Sequence, residues 1–208
     1  LLELLNTTEG FDLASTGYHS SSSVHVMSEA MKNVFADRAE FMGDPDFVPV
    51  PVTRLISKTY AGARRNEIDT ARARSADRVH HGNGYSGEGH NTTNYVVADS
   101  SGDVVSVNYT LNDLFGNKII VAGAGFFLND EMDDFSAKPG AANLYGLVGG
   151  DANAIEAGKR PLSSMAPTIV LKDGKPLFTL GSRGGSKIIS GIFQVIANVI
   201  DFGMNIQQ

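Results

Sequence analysis

The sequence of 208 residues contains no cysteine and no tryptophan. The lack of cysteine excludes disulfide bonds, thiol catalysis and zinc sites with thiolate ligands. Basic residues are few, since 17 Lys and Arg face 23 Asp and Glu, and this balance argues against a nucleic-acid-binding domain. No apolar run reaches the ~18 residues of a membrane span. Hydrophobic residues make up 42% of the chain, which is enough to build a buried core.

The first part of the chain predicts helices. Residues 1–5 read as the end of one helix, and the serines at 20–23 offer N-caps for the next. After these serines, side chains recur at steps of three and four until Gly43 and Pro45 end the pattern. The members of this stripe are Met27, Met31, Val34, Arg38 and Phe41. We expect the stripe to pack in the core.

Residues 79–91 are rich in glycine and polar side chains and predict a mobile loop. The histidines of this segment lack an acidic cluster and helical i,i+4 spacing, so we predict no metal site and no cofactor. Arginines cluster just before it, and we expect them to form a solvated face. They are Arg64, Arg65, Arg72, Arg74 and Arg78.

From Thr92 onward the hydrophobic period changes to two. Residues 94–99 and 104–110 predict one β-hairpin, and residues 168–171 and 176–180 predict a second around an Asp-Gly turn. Residues 125–129 suggest a further short strand. An apolar helix follows residues 184–186. Helices, antiparallel strands and a final helix together predict an α+β fold.

Polar groups suited to chemistry collect in this second half. Gly184 and Gly185 precede the final helix, where free backbone N–H groups can bind an anion or a developing oxyanion, although a plain tight turn is the alternative. The remaining candidates are hydroxyl, amide and carboxylate side chains near strand ends and in loops. They are Thr92, Thr110, Asn112, Glu131, Asp134, Ser163 and Ser164.

These candidates lie within motifs that occur in a fixed order along the chain. The motifs are TTNY at 92–95, YTLN at 109–112, EMDDFSAKPG at 131–140, NLYGLVGGDAN at 143–153, KRPLSSM at 159–165 and GSRGGS at 181–186. The sequence thereby resembles the γ-glutamyltransferase (glutathione hydrolase) family, especially its bacterial members, over essentially its whole length. The resemblance implies the four-layer αββα sandwich of N-terminal-nucleophile (Ntn) hydrolases, which we expect to be incomplete in this chain.

The resemblance also implies a self-cleaving precursor. The cut falls between Asn91 and Thr92, so residues 1–91 would be the C-terminal part of a large subunit that ends in the processing loop 79–91. Residues 92–208 would be most of the small, catalytic subunit, and the two subunits would stay together as a heterodimer. The implied enzyme removes the γ-glutamyl group from glutathione and related compounds and passes it to water, an amino acid or a short peptide. The family implies a periplasmic or secreted location.

Site roles are implied residue by residue. Thr92 resembles the nucleophile, Thr110 the threonine that orients it, and Gly184 and Gly185 the backbone donors of the oxyanion hole. Three further residues resemble the groups that hold the substrate α-ammonium: Asn112, Glu131 and Asp134. Ser163 and Ser164 resemble the hydroxyl pair on the α-carboxylate.

The sequence departs from the family pattern at three points. Asn94 stands where histidine is usual, and Arg183 stands where proline is usual. No segment here matches the early large-subunit arginine that clamps the substrate carboxylate, so we expect the chain on its own to be inactive or poorly folded. Two other hypotheses stay open: a related Ntn amidase resembling cephalosporin acylase, and an unprocessed, non-catalytic binding domain.

Overall fold

The structure is a computed structural model, and it describes residues 1–75, 92–138, 140–144 and 146–207. The predicted processing loop 79–91 lies outside these residues. Six α-helices are described: α1 Leu2–Thr8, α2 Leu13–Thr16, α3 Ser21–Phe41, α4 Val52–Leu55, α5 Lys58–Asn66 and α6 Lys187–Ile200. The four strands are β1 Thr92–Ala98, β2 Val104–Thr110, β3 Thr168–Lys172 and β4 Lys175–Leu180. Short 3-10 helices cover Glu131–Asp134 and Asp151–Asn153.

Helix α3 is the longest described element and forms where the sequence predicts it. The hydroxyl of Ser20 caps the helix by accepting from the backbone N–H of Ser23 at 3.1 Å. At the other end the chain becomes extended at Met42, just before Gly43. Met27 and Val34 are buried in the core, so the prediction of an apolar stripe is confirmed for these members.

Both predicted hairpins are present. The first pairs β1 with β2 in an antiparallel register that sets Thr92 opposite Thr110. The second turns through Asp173 and Gly174, which both have positive φ, as a two-residue hairpin turn requires. The segment 125–129 does not form the predicted strand: only Phe127 pairs, in a single antiparallel bridge with Ile120, and Gly125 at the start of the segment has a φ of 76°.

Helix α6 connects the strands to the other helices. Its residues Ile188, Ile192 and Ile196 pack against Val170, Phe178 and Leu180 of the second hairpin. An adjacent side of α6 joins a second cluster, in which Phe193 and Ala197 meet buried residues of α1 and α3. The two hairpins also contact each other. The described elements therefore form an α+β fold, as predicted. Among these residues, no helix is long and apolar enough to cross a membrane.

The arginines before the processing loop do not form the solvated face that we expected. Arg64 pairs with Asp37 at 3.0 Å, and Arg74 pairs with the buried carboxylate of Glu29 at 2.8 Å. Arg65 donates to the backbone carbonyls of Asn6 and Thr7. Buried carboxylates and open helix-end carbonyls need cationic donors, and these three arginines supply them between α1, α3 and α5. Arg72 is exposed, as expected.

Candidate active site

The open end of the first hairpin forms one side of a small cleft, of about 20 Å³. Thr92 and Thr110 lie directly opposite each other there, on neighbouring strands. The structure brings seven of the sequence-predicted site residues to this cleft: Thr92, Thr110, Asn112, Asp134, Ser163, Ser164 and Gly185. Glu131 and Gly184 adjoin lining residues without lining the cleft themselves. Asn91 lies outside the described residues.

Asn112 follows strand β2 in a conformation that few residues adopt. Its φ is 74°, a region that asparagine tolerates better than most side chains, and the residue is buried. Its backbone N–H donates to the hydroxyl of Thr110 at 2.9 Å, and its side-chain amide donates to the carbonyl of Asp130 at 3.3 Å. Asn112 thus connects the threonine pair to the acidic 3-10 helix.

The 3-10 helix carries a pair of interacting carboxyl groups. The side chains of Glu131 and Asp134 hydrogen-bond to each other. Burial, the charge of Asp134 and that hydrogen bond raise the pKa of Glu131 to about 7. Burial also raises the pKa of Asp134, although Arg38 and the bond with Glu131 oppose this rise. Near neutral pH the pair therefore holds a proton that an arriving cation can displace.

The serine pair sits on a segment that is fixed from two directions. Ser164 is buried, and its hydroxyl accepts from Nη2 of Arg38 at 3.0 Å. The amide of Asn153 donates to the carbonyl of Asp134 at 2.7 Å, and its oxygen accepts from the N–H of Leu162 at 3.1 Å. Asn153 thereby fixes the distance between the carboxylates and the serines.

The glycine turn ahead of α6 needs glycine for its backbone geometry. Gly184 and Gly185 have φ of 121° and 54°, where a side chain would add strain. The N–H groups of Lys187 and Ile188 already bond to the carbonyls of Gly184 and Gly185. Gly185 and Ile188 both line the cleft, so the first turn of α6, which is the positive end of the helix dipole, lies beside it.

Asn94 joins the first hairpin to this turn. Its amide donates to the carbonyl of Val107 at 2.8 Å and to the side-chain oxygen of Asn108 at 3.1 Å. Asn108 in turn donates to the carbonyl of Ser182 at 2.7 Å. Gly181 lies so close to the Asn94 amide that a Cβ there would overlap with it.

Sequence reasoning missed three residues that position the site: Arg38, Asn108 and Asn153. Asn108 and Asn153 carried no signal of their own, because an asparagine in a strand or a loop is common. Arg38 did carry one, since it is the charged member of an otherwise mainly apolar stripe. Among the described residues, no group of three or more His, Asp and Glu side chains is placed to hold a metal ion.

A paired threonine, a glycine-opened helix start and a carboxylate pair around one cleft meet the needs of acyl transfer. Comparison with known proteins gives a consistent result. The family described as Gamma-glutamyltranspeptidase matches residues 1–208. The glutathione hydrolase proenzyme of Escherichia coli K12 is 47% identical over 208 residues, which are 100% of this chain and 36% of that protein.

Two solved structures are also similar. A variant of the gamma-glutamyltranspeptidase of Helicobacter pylori is 65% identical with a TM-score of 0.54, over 55% of this chain and 61% of that one. The cephalosporin acylase of Bacillus halodurans is 29% identical with a TM-score of 0.73, over 98% of this chain and 34% of that one. The chain belongs to the gamma-glutamyltranspeptidase family, and the resemblance seen in the motifs is confirmed. The chain spans about a third of the length of the E. coli relative.

Proposed function

We propose that the protein containing this chain is a self-processing γ-glutamyltransferase and glutathione hydrolase. The observation that carries the proposal is the convergence of Thr92, Thr110, Asn112 and Asp134 with the serine pair 163–164 on one cleft. The names of the relatives support this function, since the E. coli protein is called a glutathione hydrolase proenzyme.

Processing would generate the nucleophile. The Thr92 hydroxyl attacks the Asn91 carbonyl, the C–N bond breaks, and the acyl group moves to the hydroxyl oxygen as an ester. Water then hydrolyses the ester and leaves Thr92 with a free α-amine and a free hydroxyl. That amine, with an ordinary pKa near ~8, serves as the base for the neighbouring hydroxyl. Residues 1–91 and 92–208 would then belong to the large and the small subunit of a heterodimer.

Turnover would follow the same chemistry on an external substrate. The Thr92 hydroxyl attacks the γ-carbonyl of glutathione or another γ-glutamyl compound, and the Thr92 amine takes its proton. Thr110, opposite Thr92 in the hairpin, orients the hydroxyl. Backbone N–H groups at Gly184 and Gly185 stabilise the oxyanion. The amine of the substrate's leaving group departs with the proton that the Thr92 amine had taken up, and a γ-glutamyl ester of Thr92 remains. Water, an amino acid or a short peptide then takes the γ-glutamyl group from this ester.

The polar residues of the cleft suit the two charges of a γ-glutamyl head group. Asp134, Glu131 and Asn112 present oxygen atoms for the α-ammonium. Ser163 and Ser164 present hydroxyl groups for the α-carboxylate. We assign no metal and no cofactor to this chemistry.

Mass spectrometry and an activity assay on the full-length protein test the proposal. We expect two polypeptides, the smaller beginning at Thr92, and release of p-nitroaniline from γ-glutamyl-p-nitroanilide. Thr92→Ala should abolish both. Thr93→Ala is the matched control, because Thr93 is the next residue on the same strand and is exposed. An intact chain after prolonged incubation, or processing that persists in Thr92→Ala, would refute the assignment.

A second candidate function is that of an Ntn acylase. It is favoured by the acylase of Bacillus halodurans, which aligns with 98% of this chain. A glutaryl amide carries no α-ammonium, so it offers no cationic group for Glu131 and Asp134 to bind. Faster turnover of a glutaryl amide than of γ-glutamyl-p-nitroanilide would select the acylase. Retention of both activities in Thr92→Ala would instead favour a non-catalytic domain whose apparent turnover comes from a contaminant.

The proposed location is the periplasm or the outside of the cell, as the family resemblance implies. Fractionation of the native host tests this. The processed small polypeptide should appear in the periplasmic or the culture fraction, and its confinement to the cytoplasm would contradict the proposal.

A further inference from the structure

The side chain of Arg38 contacts the serine segment, although its spacing in the sequence places it in the mainly apolar stripe of α3. It lies on α3 one turn after Val34, yet its side chain leaves the helical core and reaches the serine segment. Its Nη2 donates to the hydroxyl of Ser164 at 3.0 Å. Ser164 is 7% exposed, so this bond is shielded from water. The two residues are 126 positions apart and come from opposite sides of the proposed cut.

Arg38 lies near both groups that would bind the substrate, the carboxylate pair and the serine pair. With Asp134 and Asn153 it lines a small recess beside the carboxylate pair. With Ser163 it lines a second, mainly apolar cavity of about 280 Å³. Burial lowers the pKa of Arg38 to about 10, and Asp134 opposes this effect, so the guanidinium remains charged at neutral pH.

The contact between Arg38 and Ser164 fixes which of the two groups donates the hydrogen bond. A guanidinium has only donors, so the hydroxyl oxygen of Ser164 must accept from it. The proton of that hydroxyl is then left to donate to another group. A hydroxyl fixed as a donor suits a carboxylate, which only accepts.

We propose that Arg38 is a positioning residue for the γ-glutamyl head group. It turns the Ser164 hydroxyl toward the substrate α-carboxylate and sets its own charge beside Asp134, the proposed α-ammonium ligand, in the recess that both residues line. This inference rests on the proposed function. It assigns to the large-subunit segment a role in substrate binding through residues of the small-subunit segment.

Steady-state kinetics of the full-length, processed protein test the inference with γ-glutamyl-p-nitroanilide. The variants are Arg38→Gln, Arg38→Lys and the control Arg65→Gln, whose arginine donates to backbone carbonyls of α1. We expect Arg38→Gln to raise KM by about 10-fold, at the lower end for loss of a bond to a charged group, with kcat little changed. Arg38→Lys should recover part of the loss, and Arg65→Gln should leave KM unchanged.

The pH dependence of KM separates positioning from simple packing. Four charged groups affect Asp134: Glu131, Asp130 and Asp133 on its own turn, and Arg38 from α3. Without Arg38 the acid limb of 1/KM should move to higher pH, because more base is then needed to ionise Asp134. A fall in melting temperature with unchanged KM and an unchanged pH profile would show a structural role only and overturn the inference.

A double-mutant cycle tests whether Arg38 acts through Ser164. The KM effects of Arg38→Gln and Ser164→Ala should not add, because each removes the same oriented hydroxyl. Full additivity would mean that Arg38 binds the carboxylate directly, and it would overturn the positioning role. The activity of the wild type distinguishes failure of this inference from failure of the proposed function. If the wild type is active and Arg38→Gln has a normal KM, only the role of Arg38 is refuted. If the wild type shows no turnover, the proposed function is refuted as well.

Discussion

Asn108 donates from its side-chain amide to the backbone carbonyl of Ser182 at 2.7 Å. The bond joins the middle of strand β2 to the turn that carries Gly184 and Gly185. Asn108 also accepts from Asn94 on strand β1, so both strands of the first hairpin take part. The distance between the proposed nucleophile at the start of β1 and the proposed oxyanion donors therefore depends on a side-chain bridge of two asparagines.

The first prediction removes this bridge. Asn108→Ala should lower kcat by about 5-fold, the equivalent of roughly 1 kcal/mol for one hydrogen bond, and should leave KM nearly unchanged. The reason is that the oxyanion is fully developed only in the transition state. Ser106→Ala is the control, since its hydroxyl meets the carbonyl of Leu180 only at 3.5 Å. An equal loss of kcat in both variants would show that the bridge has no special role.

The second prediction concerns the proton shared by the carboxyl pair. The raised pKa of Glu131, about 7, means that the substrate ammonium competes with a proton below neutral pH. We expect 1/KM of the wild type to rise as pH increases through 7, and Glu131→Gln to flatten this rise. Kinetics between pH 5.5 and 8.5 measure it, with Asp151→Asn on the other 3-10 helix as the control, because Asp151 is exposed and does not line the cleft. An unaltered profile in Glu131→Gln would assign the titration to another group.

The same titration has a consequence for stability. A carboxyl whose pKa is raised on folding binds more protons in the folded state, so its contribution is present at low pH and is lost as pH rises through the folded pKa. For Glu131 this window runs from its ordinary value of 4.5 to about 7. The melting temperature of Glu131→Gln should therefore rise relative to that of the wild type as pH increases from 4.5 to about 7.

The local elements could be predicted because their signals are local. Ser20 caps α3, the turn at Asp173 and Gly174 sets the second hairpin, and the loop between β1 and β2 fixes Thr92 opposite Thr110. The strand predicted at 125–129 is reduced to one antiparallel bridge between Phe127 and Ile120, and the glycines at 123 and 125, with positive φ, lie between these two residues.

The assembly of the site could not be derived from these local signals. Asp134 reaches the serine segment through Asn153, and Ser164 meets Arg38 from 126 residues away. Periodicity placed Arg38 with the core residues because it describes one helix face and not what packs there. Only the order of the motifs, through the family resemblance, grouped Asn112 and Asp134 with the serines before the structure did.

The third prediction concerns a buried carboxyl far from the cleft. Glu3 on α1 is 7% exposed, and burial together with a hydrogen bond to Asp37 raises its pKa to about 9. The stability that depends on its proton is complete below pH 4.5 and is lost as pH rises toward 9. Glu3→Gln should thus melt near the wild-type temperature at pH 5 and above it at pH 9. Glu9→Gln is the exposed control, and a constant difference at all pH values would contradict the assignment.

The fourth prediction concerns the link between the two sides of the proposed cut. The buried carboxylate of Asp44 accepts from Arg160 at the backbone N–H, at Nε and at Nη2, with distances of 2.8, 2.9 and 2.5 Å. Arg160 also holds the pKa of Asp44 well below its usual range, so the stability from this pair is present above pH ~4 and is lost as pH falls below it. After processing, the pair would connect one polypeptide to the other.

Asp44→Asn should therefore let the processed polypeptides separate at a lower urea concentration, measured by size-exclusion chromatography. Asp46 offers a matched control, because it meets the same Nη2 of Arg160 but is exposed to water. Water weakens the ion pair between two exposed side chains, whereas the Asp44 carboxylate is buried and accepts from three donors of Arg160, so Asp46→Asn should shift the urea midpoint by no more than about half as much. At pH 3 the gap in urea midpoint between wild type and Asp44→Asn should narrow, because an unpaired Asp44 is protonated there, whereas the paired carboxylate, with its lowered pKa, is still ionised. Equal shifts for both variants would show that negative charge near Arg160 matters and that burial of the Asp44 carboxylate does not.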